Sequence, residues 1–297
     1  MRIYKYGTDA IPSLGRAIAL GFFDGVHLGH RAILHEAGRL AREHSLALSV
    51  FTFTQEADLK GGARLQSTEA KLRSLSECGV EEIILADFDK VKDMTAEDFV
   101  RDLLVGYAGA RFAVSGSDYR FGKGAKATAE DLRALMRAHG GDAIAVDDVL
   151  VGGEKVSTTR IKTLLAEGRM AEANEMLGAP FTLSATVEHG RGVGHTLGFP
   201  TVNCPPSRTP LRLGVYKSCL IHRGKEYPAL TNVGVCPTFD AREVHAETYV
   251  IDSTLDLYGE SVDIILTDFL RDEIAFSSEK ELKMQINIDI KRAKGEI

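Results

Sequence analysis

From residue 16 onward, short apolar runs alternate with stretches whose apolar residues recur at three- and four-residue spacing. That alternation is the pattern of a parallel sheet flanked by helices. It predicts strands over residues 16–22, 47–53, 82–86, 111–115 and 143–147, and helices over 30–43, 68–78, 95–107 and 128–139. Two further helical stretches, 159–167 and 171–177, run up to Gly178-Ala179-Pro180, a glycine and proline stop. The stop divides the chain into a domain over 1–179 and a second over 180–297. Beyond it, runs rich in β-branched and aromatic residues at 182–188, 214–222, 226–232, 245–251 and 261–267 are separated by turn residues. They predict a small antiparallel barrel or sandwich. A closing helix starts at Ser278-Glu279-Lys280-Glu281, a capping box, and carries Leu282, Ile286, Ile290 and Ala293 on one face that packs on the barrel. The expected fold is therefore a Rossmann-like α/β domain followed by a small antiparallel β-barrel with a C-terminal helix. There is no internal repeat, so the halves are different folds with different tasks.

Composition narrows the chemistry. Of 297 residues, 44% are hydrophobic and 26% charged, the profile of an ordinary globular chain large enough for two cores. With 36 basic against 42 acidic side chains the net charge is −6, which disfavours a nucleic-acid partner and leaves phosphate binding to local devices. The four cysteines, Cys78, Cys204, Cys219 and Cys236, lack metal-ligand or disulfide-framework spacing, in keeping with a reducing cytoplasm. The N-terminal segment is polar and no apolar run approaches 18 residues, so neither a signal peptide nor a membrane anchor is expected.

The strongest chemical feature is Gly21-Phe22-Phe23-Asp24-Gly25-Val26-His27-Leu28-Gly29-His30, at the junction of the first strand and the first helix. Ligands of open α/β sheets bind at the carboxyl ends of strands. Gly25 and Gly29 clear side chains from backbone N–H groups that a phosphate must approach, and the helix N-terminus adds a favourable dipole. His27 and His30, three apart on an opening helical turn, face the same way and suit the stabilisation of phosphate oxygens. A second feature, Ser157-Thr158-Thr159-Arg160, opens another helix. Ser157 is a natural N-cap, and Arg160 at the third position opposes the helix dipole, which points to an anion over the helix start. The alternative is an ordinary cap carrying a surface arginine.

Ser115-Gly116-Ser117-Asp118-Tyr119-Arg120-Phe121-Gly122-Lys123-Gly124 follows the fourth predicted strand. Its aromatic, charged and glycine residues suit a loop that grips a flat ring and its phosphate, or equally a plain connection. In the second half, the segment from His189 to Asn203 includes Gly192, Gly194, Gly198, Pro200, Thr201 and Asn203. Thr201 and Asn203 offer neutral oxygen donors for Mg²⁺, although a bulged hairpin would show the same glycines. Glu247 alternates in phase with Tyr249 and Ile251. If that face is apolar, the carboxylate is placed to take a proton from a hydroxyl nucleophile; if it faces solvent, it is an ordinary surface acid.

In this order and over nearly the whole chain, these motifs resemble the bacterial bifunctional riboflavin kinase/FAD synthetase family. Gly21 to His30 looks like the family's HxGH nucleotidyltransferase motif and Ser157 to Arg160 like its TRI motif. Asp118-Tyr119-Arg120-Phe121-Gly122 falls on its flavin-side loop, and Gly198 to Asn203 matches its PTxN magnesium motif. Thr231-Asn232-Val233-Gly234, Leu257-Tyr258-Gly259 and Phe269-Leu270-Arg271 continue the kinase pattern, with Glu247 as general base. The resemblance implies an α/β FMN adenylyltransferase domain over 1–179 and a riboflavin kinase barrel over 180–297, using riboflavin, FMN, ATP and Mg²⁺. Glu247, His27, His30 and Arg160 would carry catalysis. Gly21, Phe23, Asp24, Gly25, Gly29, Asp118, Ser157, Thr158, Thr159, Gly192, Gly194, Gly198, Pro200, Thr201 and Asn203 would hold the nucleotides and flavin. There are departures: Phe53-Thr54-Gln55-Glu56-Ala57 stands where the family has Phe-x-Pro-His-Pro, Ala125-Lys126-Ala127 where an Arg and a Gly are common, and Cys236 where Arg is usual. The first two touch the adenylyltransferase half and admit a second reading, a riboflavin kinase whose first domain only binds nucleotide. A non-catalytic flavin-binding module is the third.

Overall fold

The computed structural model describes residues 1–54, 63–188, 198–204, 208–235, 244–253 and 255–296. Packing divides the chain into two compact units, Met1–Gly61 with Thr68–Ser157, and Gly62–Ser67 with Thr158–Ile297.

The first unit is built on six strands: β1 (Arg2–Lys5), β2 (Arg16–Leu20), β3 (Ala47–Phe53), β4 (Glu82–Ala86), β5 (Ala110–Gly116) and β6 (Asp142–Val146). They form one sheet in the order β1-β4-β3-β2-β5-β6, and every pairing is parallel. Alternate residues of β2 feed opposite faces. Ala17 and Ala19 lie in the core beneath α1 (Leu28–Glu43), with Ile33, Leu34 and Ala37. Ile18 and Leu20 lie in the other core, with Phe99, Leu103, Leu132 and Met136. A sheet covered on both faces explains why its strands read as continuous apolar runs. Also in this unit are α2 (Thr68–Glu77), α3 (Phe88–Val91), α4 (Ala96–Asp98), α5 (Ala129–Ala138) and a hairpin of β7 (Leu150–Val151) and β8 (Glu154–Lys155).

Three details depart from the sequence expectations. β1 was not foreseen, because an edge strand of four residues with mixed polarity leaves no periodic signal. The hairpin β7–β8 is likewise too short to register. The helix expected over 95–107 begins as α4, capped by the Thr95 side chain, but continues as a π-helix over Phe99–Tyr107. Phe99, Val100, Leu103 and Leu104 are all buried there, and the Ala108 N–H reaches back to the Leu103 carbonyl at 2.8 Å.

In the second unit α6 (Thr158–Glu167) and α7 (Met170–Leu177) precede β9 (Thr182–Thr186), β10 (Thr201–Asn203), β11 (Gly214–His222), β12 (Lys225–Val235), β13 (Val244–Val250), β14 (Ser261–Arg271) and α8 (Glu279–Lys294). The division drawn from sequence at 179/180 places α6 and α7 with the first domain, whereas packing groups them with the strands that follow. Gly178 ends α7 in the left-handed conformation, φ 70°. The strands form one antiparallel sheet in the order β10-β13-β12-β11-β14-β9. Its two edges meet through a bridge between Glu188 and Asn203, with Glu188 N–H donating to the Asn203 carbonyl at 2.9 Å. The sheet thus curls into a barrel with a thin seam. α8 covers one face of it: Ile290 and Ala293 pack against Val215, Leu230 and Ile251. Ser278 caps the helix as expected, while the Glu281 carboxylate takes the N–H of Ser277 instead of closing on Ser278.

Candidate functional site

In the first unit the chain runs outward from β2 to β3 and β4 and then returns to place β5 on the other side of β2. That reversal is a topological switch point, and the crevice at the carboxyl ends of β2 and β5 is where such a sheet takes a ligand. The segments leaving those two ends are 21–30 and 117–124, the two loops singled out from sequence.

The turn after β2 is held in an unusual backbone. Phe23, Gly25 and Val26 all have positive φ, at 55°, 86° and 38°. Left-handed values at non-glycine residues store strain that surrounding packing must hold, and the Phe23 and Val26 side chains are fully buried. Phe23 therefore belongs to the core and serves the turn through its backbone. Gly21 admits its ring, since a Cβ there would stand 3.2 Å from Phe23. Asp24 is buried beside it. His27 caps α1: its Nδ1 accepts the His30 N–H at 3.3 Å. That bond places the His27 proton on Nε2, leaving an N–H donor for a ligand oxygen. The two imidazoles stack, ring centres 3.6 Å apart. Burial lowers His27 to a pKa of about 4 and holds His30 well below the ordinary imidazole value, with the charges of His27 and Lys71 acting in the same direction on His30. Both rings are accordingly neutral near pH 7. Gly29 suits the same packing: a Cβ would lie 3.2 Å from the His27 ring, which would have to give by a few tenths of an ångström.

Val156 leads into Ser157, which stands immediately before α6, with Thr158, Thr159 and Arg160 in the opening turn of that helix. In the loop after β5, Asp118 is paired with Lys155 of β8 at 2.7 Å, and Lys155 also holds Asp148 at 2.8 Å. The aromatic residues of this loop turn inward: Phe121 is buried in the core and stacks with the half-buried Tyr119, whose hydroxyl burial pushes up in pKa. Sequence reasoning missed Lys71, which is buried on α2 one turn from Leu75. A lysine on an apolar helical stripe was the available signal.

In the second unit a cavity of about 340 Å³ lies between the sheet and α8. Thr201, Asn232, Glu247, Tyr249, Arg271 and Asp289 are among its lining residues. Register explains the convergence, because Asn203 and Asn232 flank Glu247 on its two neighbouring strands and Thr201 pairs with Tyr249. Glu247 and Tyr249 share the cavity face, and the Glu247 side chain remains 47% exposed. Ala246, Thr248 and Val250 point the other way, into a core where Thr231 bonds Ser218 and Thr248 at 2.8 and 2.9 Å. The Asn203 amide donates to the Thr201 carbonyl and its oxygen faces His245 Nε2, both at 3.3 Å. Arg271 and Asp289 form a buried ion pair at 2.8 Å that ties β14 to α8. Arg271 falls in the Phe269-Leu270-Arg271 segment picked out by the resemblance, whereas Asp289, which interrupts the apolar stripe of α8, was not foreseen. Gly198 has φ 86° and Pro200 directly precedes β10. Gly192 and Gly194 lie outside the described residues, as do Gln55, Glu56, Ala57 and Cys236.

A switch-point crevice with a helix-capping histidine pair, followed in the same chain by a barrel with a carboxylate in its cavity, defines a two-unit enzyme of phosphate transfer. Residues 12–160 match the FAD synthetase family and residues 177–297 the riboflavin kinase family. The chain belongs to the bifunctional riboflavin kinase/FMN adenylyltransferase family. It is 36% identical to the family member of Escherichia coli strain K12 over 96% of this chain and 93% of that one. It is 31% identical to that of Listeria monocytogenes over 95% and 92%. A crystal structure described as a macrolide-efflux protein from Streptococcus pneumoniae superposes with a TM-score of 0.87 at 31% identity, covering 99% of each chain. Among the described residues no helix is long and apolar enough to cross a membrane.

Proposed function

We propose that the chain makes FAD in two ATP-dependent steps, phosphorylating riboflavin to FMN and then adenylylating FMN. The joint match to both families over nearly the full length carries this reading over a kinase with an inert first domain. Residues 180–297 are assigned to phosphorylation and 1–179 to adenylylation, in a cytoplasmic enzyme whose described cysteines are free.

In the barrel, Glu247 accepts the proton of the riboflavin 5′-hydroxyl as its oxygen bonds to the γ-phosphorus of ATP and ADP departs. Asn203, opposite Glu247 in the register, and Thr201, opposite Tyr249, offer hard, neutral oxygens that fit Mg²⁺ together with phosphate oxygens. When bound there, Mg²⁺ supplies positive charge to the phosphates of ATP. Glycines 192, 194 and 198 and Pro200 are assigned to the nucleotide.

In the α/β domain an FMN phosphate oxygen bonds to the α-phosphorus of a second ATP and pyrophosphate leaves. No protein nucleophile is required. His27 Nε2–H, His30 and the first turn of α1 bind phosphate oxygens, Gly21, Gly25 and Gly29 give them room, and Arg160 with Ser157, Thr158 and Thr159 balances the pyrophosphate charge. Asp24 and Asp118 are assigned to nucleotide and flavin. Chromatography of the products formed from riboflavin, ATP and Mg²⁺ tests the whole: FMN followed by FAD is expected, and FMN alone would return the chain to the kinase-only reading.

A further inference from the structure

Lys71, on α2, is buried, with 2% of its surface exposed. Its ammonium donates to the Phe53 carbonyl at 3.2 Å, the Phe22 carbonyl at 3.3 Å and the Thr52 hydroxyl at 3.4 Å, and it lies 5.0 Å from the centre of the Phe22 ring. The Thr52 hydroxyl itself donates to the Phe22 carbonyl at 3.0 Å. These acceptors are not scattered. Phe53 ends β3, and Phe22 lies two residues beyond β2, directly before the strained run from Phe23 to Val26. The last ladder bond there runs from Gly21 N–H to the Phe51 carbonyl, so beyond it the side chains of Lys71 and Thr52 replace sheet hydrogen bonding.

Burying a lysine is expensive, and an aliphatic residue would fill the same volume without that expense. Part of the gain is geometric. One ammonium holds two main-chain carbonyls, one at the end of β3 and one in the turn beyond β2, and the peptide it grips carries the turn that caps α1 with His27. We infer that Lys71 is a positioning residue for adenylylation, pinning the Phe22 carbonyl and thereby setting where the His27–His30 turn stands. This rests on the reading of the first domain as an adenylyltransferase. Lys71 acts through the turn and touches no reacting atom.

The experiment uses the full chain with Lys71→Met, Thr52→Val and the double variant, and measures FAD formation from FMN alongside FMN formation from riboflavin. Lys71→Met is expected to lower kcat for FAD at least tenfold, with the KM values for FMN and ATP within about threefold of wild type and riboflavin phosphorylation unchanged. Thr52→Val, the milder change, should lower the same kcat by a smaller factor, and the double variant should be no worse than Lys71→Met, because both grip one carbonyl. Unchanged FAD formation in both single variants overturns the inference, and so does a rise in KM for ATP at constant kcat, which would make Lys71 a ligand contact. The ring resonances of His27 and His30, read by NMR in Thr52→Val, which removes no charge, test the pinning without turnover: they shift, and their constancy overturns it. A wild-type chain that makes FMN but no FAD refutes the adenylyltransferase reading instead, and the ring resonances still decide Lys71.

Discussion

The imidazoles of His27 and His30 lie face to face, ring centres 3.6 Å apart and planes 18° from parallel. Two protonated rings at that distance would repel, and burial already disfavours charging either one. In the folded chain His27 therefore titrates near pH 4, against about 6.5 when unfolded. Between those values the unfolded chain binds more protons, so stability is full above pH 6.5 and is lost progressively as pH falls toward 4. The loss from His27 is on the order of 3 kcal/mol. Denaturant unfolding of the wild type and His27→Gln at pH 7.5 and 4.5 measures it. A smaller drop is expected in the variant, and an equal drop would contradict the buried, neutral pair.

The same stacking makes His30 hard to replace in function. His30→Ala removes one ring and leaves His27 without its neighbour, so FAD formation from FMN should fall by about 100-fold or more, the usual effect of losing a transition-state donor. Riboflavin phosphorylation is assigned to the other unit and should persist in the same preparation. Loss of both activities would refute the division of labour.

Glu247 supplies the converse. It stands half exposed on the cavity face, flanked by Asn203 and Asn232. Glu247→Gln keeps the shape and removes the proposed base, and FMN formation should drop by about 10²- to 10⁴-fold. FMN supplied from outside should still be converted to FAD, as read by chromatography.

What the chain sequence reveals and what it hides follow a physical line. The parallel sheet and the histidine turn were legible because buried strands and glycine-bearing turns impose local signals. The expectation that Glu247 and Tyr249 share a face also held, since strand alternation has a period of two. Lys71 and Asp289 stayed hidden because their roles come from partners far along the chain: Asp289 meets Arg271 across 18 residues and Lys71 reaches Phe22 across 49. The π-helix was hidden for a different reason, since adjacent buried pairs read equally well as an ordinary helix. β10 escaped notice because three residues give no periodicity, although they carry Thr201 and Asn203.

Gly214 opens β11 with φ 145°, and a Cβ there would stand 2.2 Å from the Arg271 carbonyl and 2.8 Å from the Phe269 ring. The carbonyl is main chain of the paired strand β14 and cannot swing aside. Gly214→Ala should destabilise the barrel by roughly 3 kcal/mol or more, through strain and overpacking together. Denaturant unfolding checks it, and a neutral effect would mean that the two strands separate there at little expense.

The ion pair between Arg271 and Asp289 joins stability to the cavity. Its carboxylate is 2% exposed and its guanidinium 14%, and Gln285 adds a hydrogen bond to the carboxylate at 2.9 Å. Removing one partner of such a pair leaves the other charge buried without compensation, which typically costs about 3–5 kcal/mol. Both residues line the cavity, and α8 forms its outer wall with Leu282 and Ile286. Asp289→Ala should therefore lower the stability of the barrel and weaken riboflavin binding together, whereas Asp289→Asn, which keeps a hydrogen-bonding oxygen, should retain more of both. Loosening of α8 predicts a raised KM for riboflavin with a smaller change in kcat, because Glu247 is carried by β13 and not by this helix. Steady-state phosphorylation kinetics alongside denaturant unfolding separate the two effects. A variant that loses stability while keeping the wild-type KM would show that the pair holds the fold together without shaping the cavity.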